Sequence, residues 1–325
     1  MQAAQSMPTA HPSAQEGRTH RAFASRGRLL AVLLLLVAAS AGYLAMSAHL
    51  VVSLTRSDRS SIDRTPDRYG LVYETVRFPS RVDRLQLDGW LITPATRSSG
   101  VQPIILVHDR GADRVHGVHG QLPNIAADLA ERGFPVLLFD LRGSGASQGA
   151  FVTLGAREVR DVGGAIDFLV ERGLAPDGVN LLGFSMGAAT ALLTAPQEPL
   201  VRAVAADSAY VDLASVVEFH LAHREPWLRA FQPGVFLMSR VLLGITPERI
   251  RPIEAVPTLA ERKLPLLAIH GQADSVVPFE HARRLVSAYG PEAQTYFLPG
   301  SEHLRAYEHE PDIYTGRLAE FFSRA

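Results

Sequence analysis

Val179-Asn180-Leu181-Leu182-Gly183-Phe184-Ser185-Met186-Gly187-Ala188-Ala189-Thr190-Ala191-Leu192-Leu193 is the stretch of this chain whose reading decides its fold. Val179 to Leu182 has the apolar composition of a strand covered on both faces, and Ala188 to Thr194 has that of a helix. Between them Gly183 to Gly187 reads G-x-S-x-G, a short pattern that also arises by chance. A strand directly before it and a helix directly after it supply the context of a nucleophile elbow. There a sharp turn projects a serine hydroxyl above the sheet, and the glycines leave space that side chains would fill. The competing reading is an ordinary glycine turn between strand and helix.

The same rhythm extends outward. Ile104 to Val107, Val136 to Phe139, Ala203 to Ala206 and Leu266 to Ile269 are further apolar runs with polar or glycine-bearing ends. Val72 to Phe78 and Arg84 to Ile92 read as an opening pair of strands, and Thr295 to Leu298 as a last short one. Leu122 to Arg132 and Ala156 to Arg172 have helical composition. Strands alternating with crossover helices predict an α/β domain, with a mostly parallel central sheet flanked by helices. Tyr210 to Lys263 is longer than one crossover helix needs and carries Phe219, Trp227, Phe231, Phe236, Leu237 and Met238. It predicts a short helical insertion, or cap, before the strand at Leu266. Such an apolar stripe serves packing, although a lid over a pocket needs an apolar underside too.

The chain's 325 residues suffice for one large α/β domain, and a formal net charge of -1 offers no basic surplus for nucleic acid. Without cysteine there is no disulfide, thiolate metal site or cysteine nucleophile. No phosphate loop or dinucleotide fingerprint appears, so no cofactor is expected. His116 and His119 lack a third ligand nearby, so no metal is expected either.

Leu29 to Leu54 contains no Asp, Glu, Lys or Arg, and at about 1.5 Å per residue it is long enough to cross a hydrocarbon core of about 30 Å. It predicts a membrane-spanning anchor over residues 29–54. A disordered tail, 1–28, precedes it and a polar linker, 55–70, follows. The folded domain then covers 71–325, with its insertion at about 210–263. Ala39-Ser40-Ala41 resembles a cleavage site, which makes a removed signal peptide the alternative. Arg18, Arg21, Arg26 and Arg28 before the span nearly balance Arg56, Arg59, Arg64 and Arg68 after it. A basic stretch directly ahead of an apolar run also marks export signals, which places the N-terminus inside and the bulk of the chain outside.

Serine at its free pKa is a weak nucleophile and needs a histidine to take its proton and a carboxylate to fix that imidazole. Downstream of Ser185, Ile269-His270-Gly271-Gln272-Ala273-Asp274 ends a strand in a glycine turn with a carboxylate, and Gly300-Ser301-Glu302-His303 follows the last strand in the same way. Ser185, Asp274 and His303 therefore fall at strand C-terminal ends, the edge where ligands sit in open α/β sheets. His270, His281 and His309 compete for the base role, and Asp207 and Asp212 for the acid. His270, so near the end of a buried strand, reads as a hydrogen-bonded structural histidine. An oxyanion needs main-chain donors. The Met186 amide supplies one, and the loop His108-Asp109-Arg110-Gly111 a second, assigned to the Arg110 amide.

At these residues the chain resembles the α/β-hydrolase superfamily, in particular the small-capped branch of serine aminopeptidase-like and prolyl-oligopeptidase-like hydrolases, from about Tyr73 to the C-terminus. Phe139-Asp140-Leu141-Arg142-Gly143-Ser144-Gly145-Ala146-Ser147 resembles that branch's F-D-x-R-G-x-G-x-S segment, and Gly271 to Pro278 its G-x-x-D-x-x-V-P acid turn. Asp109 departs from the family, which commonly has glycine there. A carboxylate at that point is expected to bend the oxyanion loop or repel a developing negative charge. The resemblance implies hydrolysis of a carboxylic ester, and less readily of an amide or peptide, through an acyl-enzyme on Ser185. The short apolar insertion and the adjacent bilayer suit a small-molecule or lipid-like acyl ester as substrate. Acyl transfer with the same triad is one alternative, and a membrane-tethered binding protein without turnover is another.

Overall fold

The computed structural model describes residues 14–56, 59, 62–96 and 100–325, with main chain alone for 14–27 and at Arg224. Eight strands form one sheet: β1 (Tyr73–Pro79), β2 (Gln86–Ile92), β3 (Ile104–Val107), β4 (Val136–Phe139), β5 (Val179–Phe184), β6 (Val201–Asp207), β7 (Leu266–Gly271) and β8 (Gln294–Leu298). Their spatial order is β1-β2-β4-β3-β5-β6-β7-β8. β1 pairs antiparallel with β2, and β2 with β4; every later pair is parallel. The α/β-hydrolase fold expected from the sequence is therefore the fold of this chain.

Residues of β3, β4 and β5 are buried on both faces, which is why they read as unbroken apolar runs. Successive side chains of a strand point to opposite faces. Ile105, Val107, Leu137 and Leu181 accordingly join the core beneath helices Glu158–Glu171 and Met186–Thr194. Ile104, Leu106, Leu138 and Leu182 join the core beneath Leu122–Glu131 and Pro311–Ser323. The chain leaves β3 for β4 on one side and then crosses to β5 on the other, so the order reverses between β3 and β5. A crevice opens at the carboxyl ends of strands at such a switch point.

The insertion is helical, as expected: Leu213–Arg224, Gln232–Leu243 and Val256–Glu261 are joined by short 3-10 turns. Most boundaries shift by one or two residues from the sequence reading, and two of the shifts have a clear physical reason. β5 runs on to Phe184 because Gly183 and Phe184 still pair with Ala206 and Asp207. The N-terminal helix spans Ala14–Thr55, so the part of the expected tail from Ala14 onward is helical. Ala, Gln, Glu and Arg are good helix formers, and the apolar run supplies the nucleus from which the helix extends. Residues 1–13 lie outside the described residues, as do 57, 58, 60 and 61 of the expected linker.

Leu29 to Gly42 is exposed on every side. From Tyr43 onward the helix docks on the domain, burying Ser47, Leu50, Val51 and Thr55. Its last carbonyl, that of Thr55, accepts a hydrogen bond from the Val152 N–H at 2.9 Å. The apolar helix is thus continuous with the hydrolase core at one end and bare at the other.

Candidate active site

Ser185 sits between β5 and the helix Met186–Thr194 with φ 51° and ψ −111°, a conformation that an L side chain enters only under strain. Its N–H donates to the Asp207 carbonyl at 2.8 Å. The flanking glycines are sterically required. A Cβ on Gly183 would lie 2.4 Å from the Gly187 carbonyl oxygen, and one on Gly187 would lie 2.0 Å from that of Val107. The turn therefore closes only without side chains at positions 183 and 187, and the serine is held over the carboxyl end of the sheet.

The loops after β7 and β8 bring Asp274 and His303 to this point. Their backbones touch: a Cβ on Gly271 would lie 2.3 Å from the Ser301 carbonyl oxygen. His303 Nδ1 donates to Asp274 Oδ2 at 2.6 Å, and Ser185 Oγ donates to His303 Nε2 at 3.0 Å. The other Asp274 oxygen accepts the N–H groups of Val276 at 2.8 Å and Val277 at 2.7 Å. Burial works to raise the Asp274 pKa. Hydrogen bonds from His270, His303 and the Val277 amide outweigh it and hold the carboxyl well below the usual carboxylate range. An ionised carboxylate only accepts, so it keeps the imidazole proton on Nδ1 and leaves the Nε2 lone pair for the serine hydroxyl.

The competing residues are engaged elsewhere. Asp207 accepts from the Ser208 hydroxyl at 2.9 Å and the Tyr314 hydroxyl at 2.8 Å, and burial pushes its pKa up to about 6. Asp212 caps the helix Leu213–Arg224 by accepting from the Ser215 N–H at 3.1 Å. His270 donates from Nε2 to the Val277 carbonyl at 2.9 Å, 3.3 Å from Asp274, so it braces the acid turn from inside the core. His281 is buried, and its Nδ1 accepts from the Val211 N–H at 3.3 Å. His309 lies on the exposed side of a short helix beyond the site. His116 Nδ1 bonds to Asp113 at 2.9 Å. His119 Nε2 donates to the His303 carbonyl at 2.9 Å, a brace on the base-bearing loop that no sequence pattern announced. Among the described residues no cluster able to hold a metal forms.

A cavity of about 300 Å³ opens beside Ser185. Met186 and Arg110 both line it. Met186 is the first residue of its helix, and the first N–H groups of a helix have no intrahelical acceptor. Asp109 turns away from this space, because its Oδ1 accepts from the Val118 N–H at 3.0 Å. The remaining walls were not visible in the sequence. Leu213, Val216, Val217 and His220 come from the cap, and Leu54 from the last turn of the N-terminal helix. The Asp140 segment is a scaffold beside the site: Asp140 accepts from Arg114, and Arg142 grips Asp161 through two nitrogens at 2.9 and 2.7 Å.

The chain is similar to known proteins. Residues 83–240 match the family of X-Pro dipeptidyl-peptidases (S15 family). The chain is 30% identical to the uncharacterized protein Rv2307c of Mycobacterium tuberculosis over 239 residues, covering 73% of each chain. It is 28% identical to the uncharacterized protein YfhR of Escherichia coli K12 over 262 residues, covering 78% of this chain and 81% of the other. The solved esterase Pf2001 of Pyrococcus furiosus superposes with a TM-score of 0.68 at 21% identity, covering 83% of this chain and 98% of that one.

Proposed function

Because this chain belongs to the α/β-hydrolase superfamily, we propose that it is a serine hydrolase acting on carboxylic esters, held to a membrane by its N-terminal helix. The observation that carries the reading is the hydrogen-bonded relay from Asp274 through His303 to Ser185 at a strained elbow. In the proposed reaction His303 takes the Ser185 proton as Oγ attacks the ester carbonyl. The Met186 and Arg110 amides receive the developing oxyanion. His303 then protonates the departing alkoxide, and the acyl group stays on Ser185. Water, deprotonated by His303, releases the acid and restores the enzyme. The walls of the cavity include Leu54, Leu154, Leu213, Val216, Val217 and Val276, which suits an apolar acyl group.

The arginines on the two sides of the span nearly balance, but a basic stretch directly ahead of an apolar run resembles an export signal, which favours an inside N-terminus and puts the hydrolase outside the cytoplasm with residues 29–54 as the anchor. Turnover of p-nitrophenyl esters over a range of chain lengths tests the substrate class. Val217→Phe, which narrows the cavity, is expected to cost long chains about 50-fold in relative kcat/KM if it excludes three methylenes at about 0.8 kcal/mol each. An unchanged chain-length profile contradicts this acyl pocket. Faster product formation with an added alcohol, giving a new ester, redirects the reading to acyl transfer.

A further inference from the structure

The bare part of the N-terminal helix is too short to cross a bilayer. Leu29 to Gly42, exposed on all sides, covers about 21 Å at 1.5 Å per residue, against a hydrocarbon core of about 30 Å. The missing length of about 9 Å has to come from the next six residues, Tyr43 to Ala48. Two of those residues, Tyr43 and Ser47, are already packed against the cap, while Leu44 and Met46 stay exposed. Tyr43 stacks on Phe231 with ring centroids 4.9 Å apart, donates from its hydroxyl to the Ala230 carbonyl at 3.0 Å and accepts from the Gly234 N–H at 3.1 Å. Gly234 is a notch for the helix, since a Cβ there would lie 2.1 Å from Ser47 Oγ.

Whatever depth Tyr43 and Ser47 occupy, this part of the cap shares it. Beside them the cap leaves apolar side chains in the open: Trp227 is 55% exposed, Leu237 46%, Val241 66% and Leu242 48%. Trp227 stands edge-on to Phe231 at 5.8 Å, so Tyr43, Phe231 and Trp227 form a connected aromatic row. Tryptophan and tyrosine collect at membrane interfaces, where the ring is buried and the polar edge stays wet. Arg229 and Arg240, paired with Glu218 and Glu248, are long enough to carry their charge out to the headgroups.

We propose that this face of the cap lies in the boundary layer of the lipid bilayer, sunk about 5–10 Å alongside the anchor helix. It rests on the anchor reading of residues 29–54. The same two elements wall the cavity beside Ser185, through Leu54 on the helix and Val216, Val217 and His220 on the cap.

Tryptophan fluorescence reads this depth, because the chain has two tryptophans and the other, Trp90, is 2% exposed in the core. The full-length protein is reconstituted into phosphatidylcholine vesicles with and without bromines high on the acyl chains, floated on a gradient, and compared with Trp227→Phe. The expected result is flotation with the vesicles and loss of about half or more of the Trp227 emission, with the Trp90 emission of Trp227→Phe unaffected. Flotation with Trp227 unquenched overturns the cap placement and leaves the anchor standing. Failure to float with the vesicles removes the anchor, and this inference with it. Both readouts are independent of esterase activity.

Discussion

Replacing Asp274 with asparagine keeps the shape of the acid turn and removes its charge. Asp274 Oδ1 accepts two main-chain N–H groups, from Val276 and Val277, so the asparagine oxygen stays on that side. Its NH2 then takes the place of Oδ2 and faces His303 Nδ1, which lies 2.6 Å away in the native site. Two donors cannot share that space. The imidazole turns its lone pair to Nδ1 and its proton to Nε2, where it donates to Ser185 instead of accepting from it. Other triads lose about 10⁴-fold in kcat when their acid is amidated, and the same loss is expected here. It corresponds to about 5.4 kcal/mol of barrier. The assay is p-nitrophenyl butyrate turnover by the full-length protein, with circular dichroism and thermal melting alongside. A folded Asp274→Asn variant that keeps activity within about ten-fold of the native protein refutes the reasoning, since His303 would then be oriented by another group.

Gly187→Ala drives a Cβ to 2.0 Å from the Val107 carbonyl oxygen and 2.6 Å from that of His108. A destabilisation of about 3 kcal/mol, or a Tm drop of about 6–12 °C, is expected, and a melting curve that does not move contradicts this account of the elbow. His281 supplies a pH test. Burial, helped by the nearby Arg284 charge, lowers its pKa from 6.5 to about 4. The unfolded chain therefore takes up the proton first, so the stabilisation is complete above pH 6.5 and is lost as pH falls from there towards 4. The loss reaches about 3 kcal/mol, and His281→Gln is expected to flatten that part of the stability profile. An equally steep acid limb in the variant contradicts the assignment.

What the sequence made legible was local. The elbow declared itself because two glycines, a strand and a helix stand within fifteen residues, and the acid and base each follow a strand directly. β3, β4 and β5 were readable because burial on both faces leaves no polar positions. The cavity walls and braces were hidden because they join distant segments. Gly234 meets Tyr43 across 191 positions, and His119 reaches the His303 carbonyl across 184. Leu54 looked like one more leucine of an apolar span, and only the docking of the helix end turns it into a wall of the cavity beside Ser185. The apolar stripe of the insertion was visible, but which of its residues face the core and which face outward depends on how Gln232–Leu243 packs against the N-terminal helix.

The central claim is that the Ser185 hydroxyl, relayed through His303, is a working nucleophile. Labelling of the purified full-length protein with a fluorophosphonate probe tests it directly, with Ser185→Ala as the comparison. The account predicts one covalent adduct on the native protein, located at Ser185, and none on a folded Ser185→Ala. A native protein that stays unlabelled while fully folded, or a variant that labels as well as the native protein, would contradict it.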